Sequence, residues 1–293
     1  MALLSINGTD SIDRAELGFA VQALPPRAPV VVMIHGFKFC PDRPQSDPHR
    51  HILSLDPAID CWKAISWPRH LGLGGDAGLG IAFGWSARGS IWRAWRASSH
   101  AARRLSRLLA LLYELDPDRP VHLVGHSLGA RVALAALPGL PPGAVQRLIL
   151  ISAALFRAES ARLVASPAGR AAEVLNVTGR ENALFDILLR LALPLAGPTV
   201  GHRGPEQRNW LDLALDRPGN LAAFRALGHR IAPPKARVCH WSGYLRPGVW
   251  RFYKALLLTP ERLPLDLLRG LVDRPEAATP PETARSPLRL NRA

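Results

Sequence analysis

The hydrophobic pattern of the chain alternates between short apolar runs of strand length and longer segments with helical periodicity. This alternation is typical of a mostly parallel sheet whose strands are connected by crossover helices, an α/β fold. The run Val30–Ile34 contains only apolar residues, which indicates a strand buried on both faces. The pattern predicts strands at residues 30–34, 61–67, 121–124, 147–152, 173–177 and 237–239, and helices at residues 91–115, 128–137 and 249–258.

The remaining segments complete a single-domain organisation over residues 1–273. The glycine-rich stretch 72–84 is expected to form a surface loop. The mixed region 183–234 is expected to be a cap or insert that shapes the substrate site. Residues 274–293 are rich in proline, alanine and arginine, which is typical of a disordered tail.

The candidate chemistry centres on the sequence Gly125-His126-Ser127-Leu128-Gly129, which stands between a predicted strand and a predicted helix. A serine on such a turn is exposed as a nucleophile, and the residues two before and two after it must be small so that the backbones can pass. The helix N-terminus that follows places free amides near developing negative charge. We therefore predict that Ser127 is a nucleophile.

An oxyanion hole requires two backbone donors. One is expected to be the amide of Leu128, directly after the serine. The other is expected to be the amide of Phe37, because Gly36 lets the chain turn after the strand that ends in His35. The imidazole of His35 is expected only to brace this loop.

The general base is expected to follow the serine in the chain. Three histidines do so, and only His240 comes directly after a predicted strand, whereas His202 lies in a Gly/Pro-rich loop and His229 follows a helical segment. A loop at a strand end can hold an imidazole over the nucleophile. His240 is the predicted base.

The acid that orients the base should lie between Ser127 and His240 and should follow a strand. Glu181 lies four residues beyond the predicted strand 173–177 and is preferred. Asp186, one helical turn further on, remains the alternative, while Asp212 and Asp216 are less well placed. The assignment between Glu181 and Asp186 stays open.

Composition and charge limit the classes of protein and of partner that fit this chain. The 293 residues are 48% hydrophobic and 20% charged, which excludes a disordered chain. The net charge of +14 would suit an anionic partner, but only four of the 37 basic residues are lysine and they form no dense tract. This pattern favours compositional bias over a specific nucleic-acid site.

The cysteine content and the lack of a recognisable signal sequence bear on the cellular compartment. Cys40, Cys61 and Cys239 are odd in number and widely spaced, which indicates a reducing environment, although a bridge between Cys40 and Cys61 stays open. We see no secretory signal and no transmembrane segment, and expect a cytoplasmic protein. No cofactor and no metal are expected, and the oligomeric state is not predicted.

Four segments together resemble the α/β-hydrolase superfamily and, more narrowly, an uncharacterised bacterial branch of serine hydrolases. The segments are residues 30–37 (VVVMIHGF), 66–68 (SWP), 125–129 (GHSLG) and 240–247 (HWSGYLRP). The resemblance runs from about residue 30 to residue 258. It implies Ser127 as nucleophile, His240 as base, and an acid on the loop that holds Glu181. Members of that branch often have aspartate in this loop, whereas this chain has Arg180-Glu181-Asn182, which keeps Asp186 as a candidate.

The function expected from these residues is hydrolysis of a carboxylic ester or related acyl bond through an acyl-enzyme intermediate. The expected partner is a small acyl or ester substrate. Two alternatives remain: a non-catalytic binding protein on the same fold, and a basic module that binds anionic surfaces.

Overall fold

The computed structural model describes residues 3–59, 61–73 and 77–272. Its centre is a seven-stranded, all-parallel sheet with strand order β1-β3-β2-β4-β5-β6-β7. The strands are β1 Leu3–Asn7, β2 Val30–Ile34, β3 Leu79–Gly84, β4 Val121–His126, β5 Arg147–Ile151, β6 Glu173–Thr178 and β7 Trp210–Ala214. The predicted α/β class, with a parallel sheet flanked by helices, is confirmed.

Helices cover both faces of this sheet. They are α1 Arg14–Gln22, α2 Trp67–Leu71, α3 Ile91–Leu115, α4 Leu128–Ala135, α5 Arg157–Val164, α6 Pro167–Ala171, α7 Ala183–Ala192, α8 Pro218–Ala226, α9 Ser242–Leu245, α10 Val249–Leu258 and α11 Leu265–Val272. One core cluster packs α1, α3 and α4 against the sheet, and a second packs α2, α8 and α10 against the opposite face. Strands buried on both faces explain the nearly continuous apolar runs in the sequence.

Helix α3 follows the predicted range of residues 91–115. Its buried positions include Leu105, Leu108, Leu109 and Leu112, which recur at helical spacing and face the core. Ser90 caps the helix, because its side chain accepts a hydrogen bond from the Arg93 amide at 3.2 Å.

The strand predicted at residues 61–67 is wrong. Residues 61–66 form turns and loop, and α2 begins at Trp67. Ser66 is the N-cap of α2 and accepts a hydrogen bond from the Arg69 amide, while Pro68 occupies the first turn. Serine followed by a proline within the first turn is a helix-start signal, and it outweighs the apolar run before it.

The loop predicted at residues 72–84 is also wrong over its second half, because that half is β3, an inner strand that is buried throughout. Its glycines meet close packing: a Cβ added at Gly80 would lie 3.0 Å from Leu3 Cδ1. Glycine therefore serves inter-element packing here rather than a surface turn. Residues 74–76 of the predicted loop lie outside the described residues.

Three further predictions need revision or lie beyond the description. Residues 237–239 form no strand but an irregular segment. Within the region assigned to a cap, 183–234, β7 belongs to the main sheet and α8 packs against it. The predicted tail, 274–293, lies outside the described residues.

Strand β1 pairs with β3, not with β2, the next strand in sequence. Leu3 lies opposite Gly80 in this parallel pair. The sheet therefore ends in β1 on one side and β7 on the other. Among the described residues, no helix has both the length and the apolar character needed to cross a membrane.

Candidate active site

Ser127 occupies the single residue between β4 and α4, at the carboxyl end of an inner strand. Its backbone has φ 56° and ψ −121°, and it is one of four non-glycine residues with positive φ in the described chain. Its side chain makes no capping hydrogen bond to α4 and is 5% exposed. A serine held in such a strained turn costs on the order of 1–3 kcal/mol, so the surrounding structure must enforce it.

The glycines around Ser127 explain how this turn fits. A Cβ added at Gly125 would lie 2.6 Å from the Gly129 carbonyl oxygen and 2.7 Å from the Ala130 amide. A Cβ at Gly129 would collide with the carbonyl oxygens of Ile34 and His35. Both positions must therefore lack a side chain, because β2 and the first turn of α4 pass in direct contact.

The loop after β2, residues 35–37, packs against the turn that holds Ser127. A Cβ added at Gly36 would lie 3.0 Å from Ser127 Cβ and 2.8 Å from the His126 carbonyl oxygen. The amide of Phe37 donates no backbone hydrogen bond among the described residues. Leu128 is the first residue of α4, so its amide has no intrahelical acceptor.

His35 braces this loop. Its Nδ1 donates to the Gly36 carbonyl at 2.9 Å, and its Nε2 accepts from the Trp85 amide at 3.0 Å. The indole of Trp85 stacks on the imidazole and donates to the His35 carbonyl at 3.0 Å. Burial lowers the pKa of His35 to about 3, so the ring is neutral and keeps this pattern of one donor and one acceptor.

His240 reaches the same edge of the sheet. His126, the neighbour of Ser127, donates from Nε2 to the His240 carbonyl at 3.0 Å, and the two imidazole rings are 4.6 Å apart. The ring of Phe185 stacks on His240 at 4.5 Å. Burial lowers the pKa of His240 well below its usual range, and neighbouring His126 and Lys63 lower it further. The imidazole is therefore neutral at pH 7.

The described residues show no hydrogen bond between the Ser127 hydroxyl and His240. The hydrogen-bond partner of the His240 ring is neither of the two predicted acids. His240 Nδ1 donates to Asn182 Oδ1 at 2.6 Å. Asn182 Nδ2 in turn donates to Asp186 Oδ2 at 3.1 Å.

Glu181 does not contact the imidazole. Its carboxylate accepts a hydrogen bond from Ser242 Oγ at 2.5 Å and lies 3.9 Å from the guanidinium of Arg246, and its carbonyl accepts from the Cys239 amide. The residue is 4% exposed. Glu181 therefore anchors the segment that carries His240, rather than the ring itself.

Asp186, the alternative acid, does not contact the imidazole of His240, because the side chain of Asn182 lies between them. Burial raises the pKa of Asp186 to about 6, although hydrogen bonds from Asn182 and Thr199 oppose that shift. A carboxylate can only accept, so it fixes the NH₂ group of Asn182 toward itself and the oxygen toward His240. Sequence reasoning missed Asn182 because it searched this loop for acids alone. The signal was present in the adjacent position of Arg180-Glu181-Asn182.

Cys40, Cys61 and Cys239 are free thiols in the described structure. Within residues 3–59, 61–73 and 77–272, no group of three or more His, Cys, Asp or Glu side chains could hold a metal ion. Two cavities do not include Ser127 in their lining: one of about 770 Å³ lies against β7, and one of about 290 Å³ is lined in part by Asp186 and Arg190.

A parallel sheet with a serine on the turn after an inner strand defines an α/β-hydrolase architecture. A sequence model of the alpha/beta hydrolase family matches residues 31–289. The chain belongs to this family. No curated protein matches the chain.

Several solved structures resemble the chain at low similarity. An acetylxylan esterase shares 12% identity, with 84% of this chain and 99% of that chain covered and a TM-score of 0.38. The catalytic core of acetyl xylan esterase from Trichoderma reesei shares 15%, covering 44% and 66%, with a TM-score of 0.28. A lipase-esterase related protein from Clostridium acetobutylicum shares 8%, covering 66% and 87%, with a TM-score of 0.33. These values carry no conclusion about activity.

The strain at Ser127 predicts an order of stability among variants. Glycine tolerates the turn and alanine does not, so Ser127→Gly should be about 1 kcal/mol more stable than Ser127→Ala. Urea denaturation of the two purified variants measures the difference. Equal stability would show that the turn is unstrained.

The raised pKa of Asp186 predicts a stability that depends on pH. The folded state binds the Asp186 proton more tightly than the unfolded state, so stability is lost as pH rises from the usual value of 3.8 through about 6. Asp186→Asn should therefore be more stable than the parent by about 1–3 kcal/mol at pH 7.5 and nearly equal to it at pH 4. Urea denaturation at both pH values tests this, and a variant less stable at pH 7.5 contradicts it.

Proposed function

We propose that this protein is a serine hydrolase that cleaves a carboxylic ester or related acyl bond through an acyl-enzyme intermediate. The observation that carries the proposal is the strained turn of Ser127 between β4 and α4, where the hydroxyl caps no helix amide. Strain of this kind, in a serine at a helix N-terminus, is typical of a nucleophile elbow.

In the proposed reaction, Ser127 Oγ attacks the acyl carbonyl and forms the new C–O bond, while its proton passes to His240 Nε2. The same proton then passes to the departing alcohol as the ester bond breaks. Water attacks the acyl-enzyme next, again giving a proton to His240, and the Ser127 hydroxyl is restored as the acid leaves. Before attack, the hydroxyl must turn toward Nε2, and such bonds often tighten only when substrate is bound.

The amides of Phe37 and Leu128 are the proposed donors to the oxyanion. Support comes from the contact of Gly36 with Ser127 Cβ and from the position of Leu128 as first residue of α4. Each donor of this kind typically contributes about 10²–10³ in turnover. Backbone donors also need no proton transfer of their own.

Asn182 is the proposed orienting residue in place of Glu181 or Asp186. Its Oδ1 accepts from His240 Nδ1–H, which leaves Nε2 free to act as the base. The amide oxygen carries no full charge, but Asp186 lies directly behind it and polarises the amide. Asparagine serves the same purpose beside the catalytic histidine of papain-like Cys-His-Asn sites.

A non-catalytic binding protein is the second candidate. Two observations favour it: no hydrogen bond joins Ser127 to His240 among the described residues, and Ser127 is only 5% exposed. An inert protein and an enzyme differ in their response to a serine-directed reagent, because only an activated hydroxyl attacks a fluorophosphonate.

The nucleophile is tested by labelling and turnover. Fluorophosphonate should attach to Ser127 in the parent protein, and Ser127→Ala and His240→Ala should each reduce p-nitrophenyl ester turnover by about 10⁴–10⁶. Ser152→Ala is the matched control, since Ser152 is also buried, has φ 44° and follows the neighbouring strand β5. Labelling that survives Ser127→Ala, or no labelling at all, overturns the proposal.

The orienting role is tested by comparing three variants. Asn182→Leu should lower kcat by about 10²–10⁴ because the imidazole loses its tautomer and orientation. The swap Asn182→Asp/Asp186→Asn should restore turnover, because the carboxylate then accepts the Nδ1 hydrogen and the amide at position 186 donates to that carboxylate. Glu181→Gln should lower the melting temperature with little change in kcat, because Glu181 holds Ser242. A larger loss of kcat in Glu181→Gln than in Asn182→Leu would return the role to Glu181.

A further inference from the structure

Helix α7 exposes an apolar stripe. Four side chains at positions i, i+3, i+4 and i+7 share one face of the helix and are 46–71% exposed: Leu184, Ile187, Leu188 and Leu191. The opposite side carries Phe185, which stacks on His240, and the buried Leu189. A helix of a folded domain normally turns its apolar face to the core, so this second apolar face lacks a partner in the described structure.

Two exposed tryptophans lie near α7: Trp92 contacts the end of the helix, and Trp62 is linked to it through Trp241 and Phe185. Trp92 at the start of α3 donates from Nε1 to the Ala192 carbonyl at the end of α7, at 2.9 Å. At the other end, Trp241 lies 6.1 Å from Phe185 and 5.5 Å from Trp62. Trp62 and Trp92 are 64% and 54% exposed. We call the four α7 residues with these two tryptophans the α7 patch.

The patch is unusual for this molecule. Ten large apolar side chains are exposed in the described residues, and six of them form the α7 patch. Phe19 on α1 and Leu267 on α11 are isolated examples elsewhere. Single exposed apolar residues are ordinary, but four that adjoin one another on one helix face form a surface of the kind that marks an interaction site.

The charge around the patch selects the partner. Arg190 on α7, Arg93 beside Trp92 and Lys63, whose Nζ lies 3.4 Å from the centre of the Trp241 ring, form no ion pair among the described residues. The acids of this segment do not reach the surface stripe: Glu181 is buried and Asp186 bonds Asn182. The whole chain carries a net charge of +14.

We propose that the α7 patch docks on an anionic phospholipid surface. An apolar helix face with cations beside it lies in the plane of a bilayer interface, where the apolar residues enter the acyl boundary and the cations meet the headgroups. Phe185 connects this helix to His240, so the docked surface lies next to the candidate active site. The proposal concerns binding and does not depend on the chemistry assigned to Ser127.

Co-sedimentation of the full chain with vesicles tests the proposal. Binding is expected to vesicles of phosphatidylcholine with phosphatidylglycerol, weaker at high salt, and much weaker to phosphatidylcholine alone. The double variant Leu188→Gln/Leu191→Gln should lower the partition coefficient roughly 10-fold or more. Arg190→Gln should lower it by about 5-fold on the phosphatidylglycerol vesicles only.

Two controls keep the result specific. Phe19→Gln removes an apolar side chain that is 71% exposed, the same fraction as Leu191, and should leave binding unchanged. Ser127→Ala should also bind as the parent does, which separates this proposal from the proposed function. A circular dichroism melt checks that the leucine variant is folded.

Three results would overturn the proposal. The first is absence of binding to both kinds of vesicle. The second is a folded leucine variant that binds as well as the parent. The third is a dimer in size-exclusion chromatography that this variant dissociates, without vesicle binding, because the patch is then an interface between two copies of the chain.

Discussion

The close contact between the end of β2 and the turn after β4 is the constraint on which the rest of the site depends. Strands β2 and β4 are neighbours in the sheet, so both chains leave it at the same edge. Side chains are excluded at Gly36, Gly125 and Gly129 because backbone atoms already occupy that space. This packing holds Ser127 in a conformation that serine otherwise avoids, and it sets the loop that begins at Gly36 directly against Ser127.

The sequence predicted those features that depend on local signals. The apolar runs of β2, β4 and β5 and the helical spacing of α3 follow directly from burial, and the structure agrees with them. The errors arose where tertiary packing decides. Gly80 and Gly84 suggested a loop, yet their lack of side chains admits neighbours to an inner strand. Strands β1 and β7 were missed because each is an edge strand whose apolar run is interrupted by a polar residue, in LLSIN and WLDLA.

Only those residues of the candidate site that are recognisable by their type could be predicted from the sequence. A glycine-flanked serine and a histidine near the chain's end were recognisable, but the partner of His240 is a neutral amide, which a search for carboxylates overlooks. Which of three adjacent polar groups faces the ring depends on how the turn after β6 is wound. Glu181 points to Ser242 and Asn182 to His240, and no periodicity distinguishes these directions. The resulting arrangement separates the carboxylate of Asp186 from the His240 ring by the side-chain amide of Asn182.

The pairing of β1 with β3 has a consequence for how the molecule assembles. Leu3 faces Gly80, so β1 is synthesised more than seventy residues before the strand with which it pairs. Until then its unpaired edge is available to other chains, and contacts over such long separations form slowly. In the folded chain β1 lies at the rim of the sheet, so one of its edges has no neighbouring strand among the described residues and can pair with a strand of another molecule.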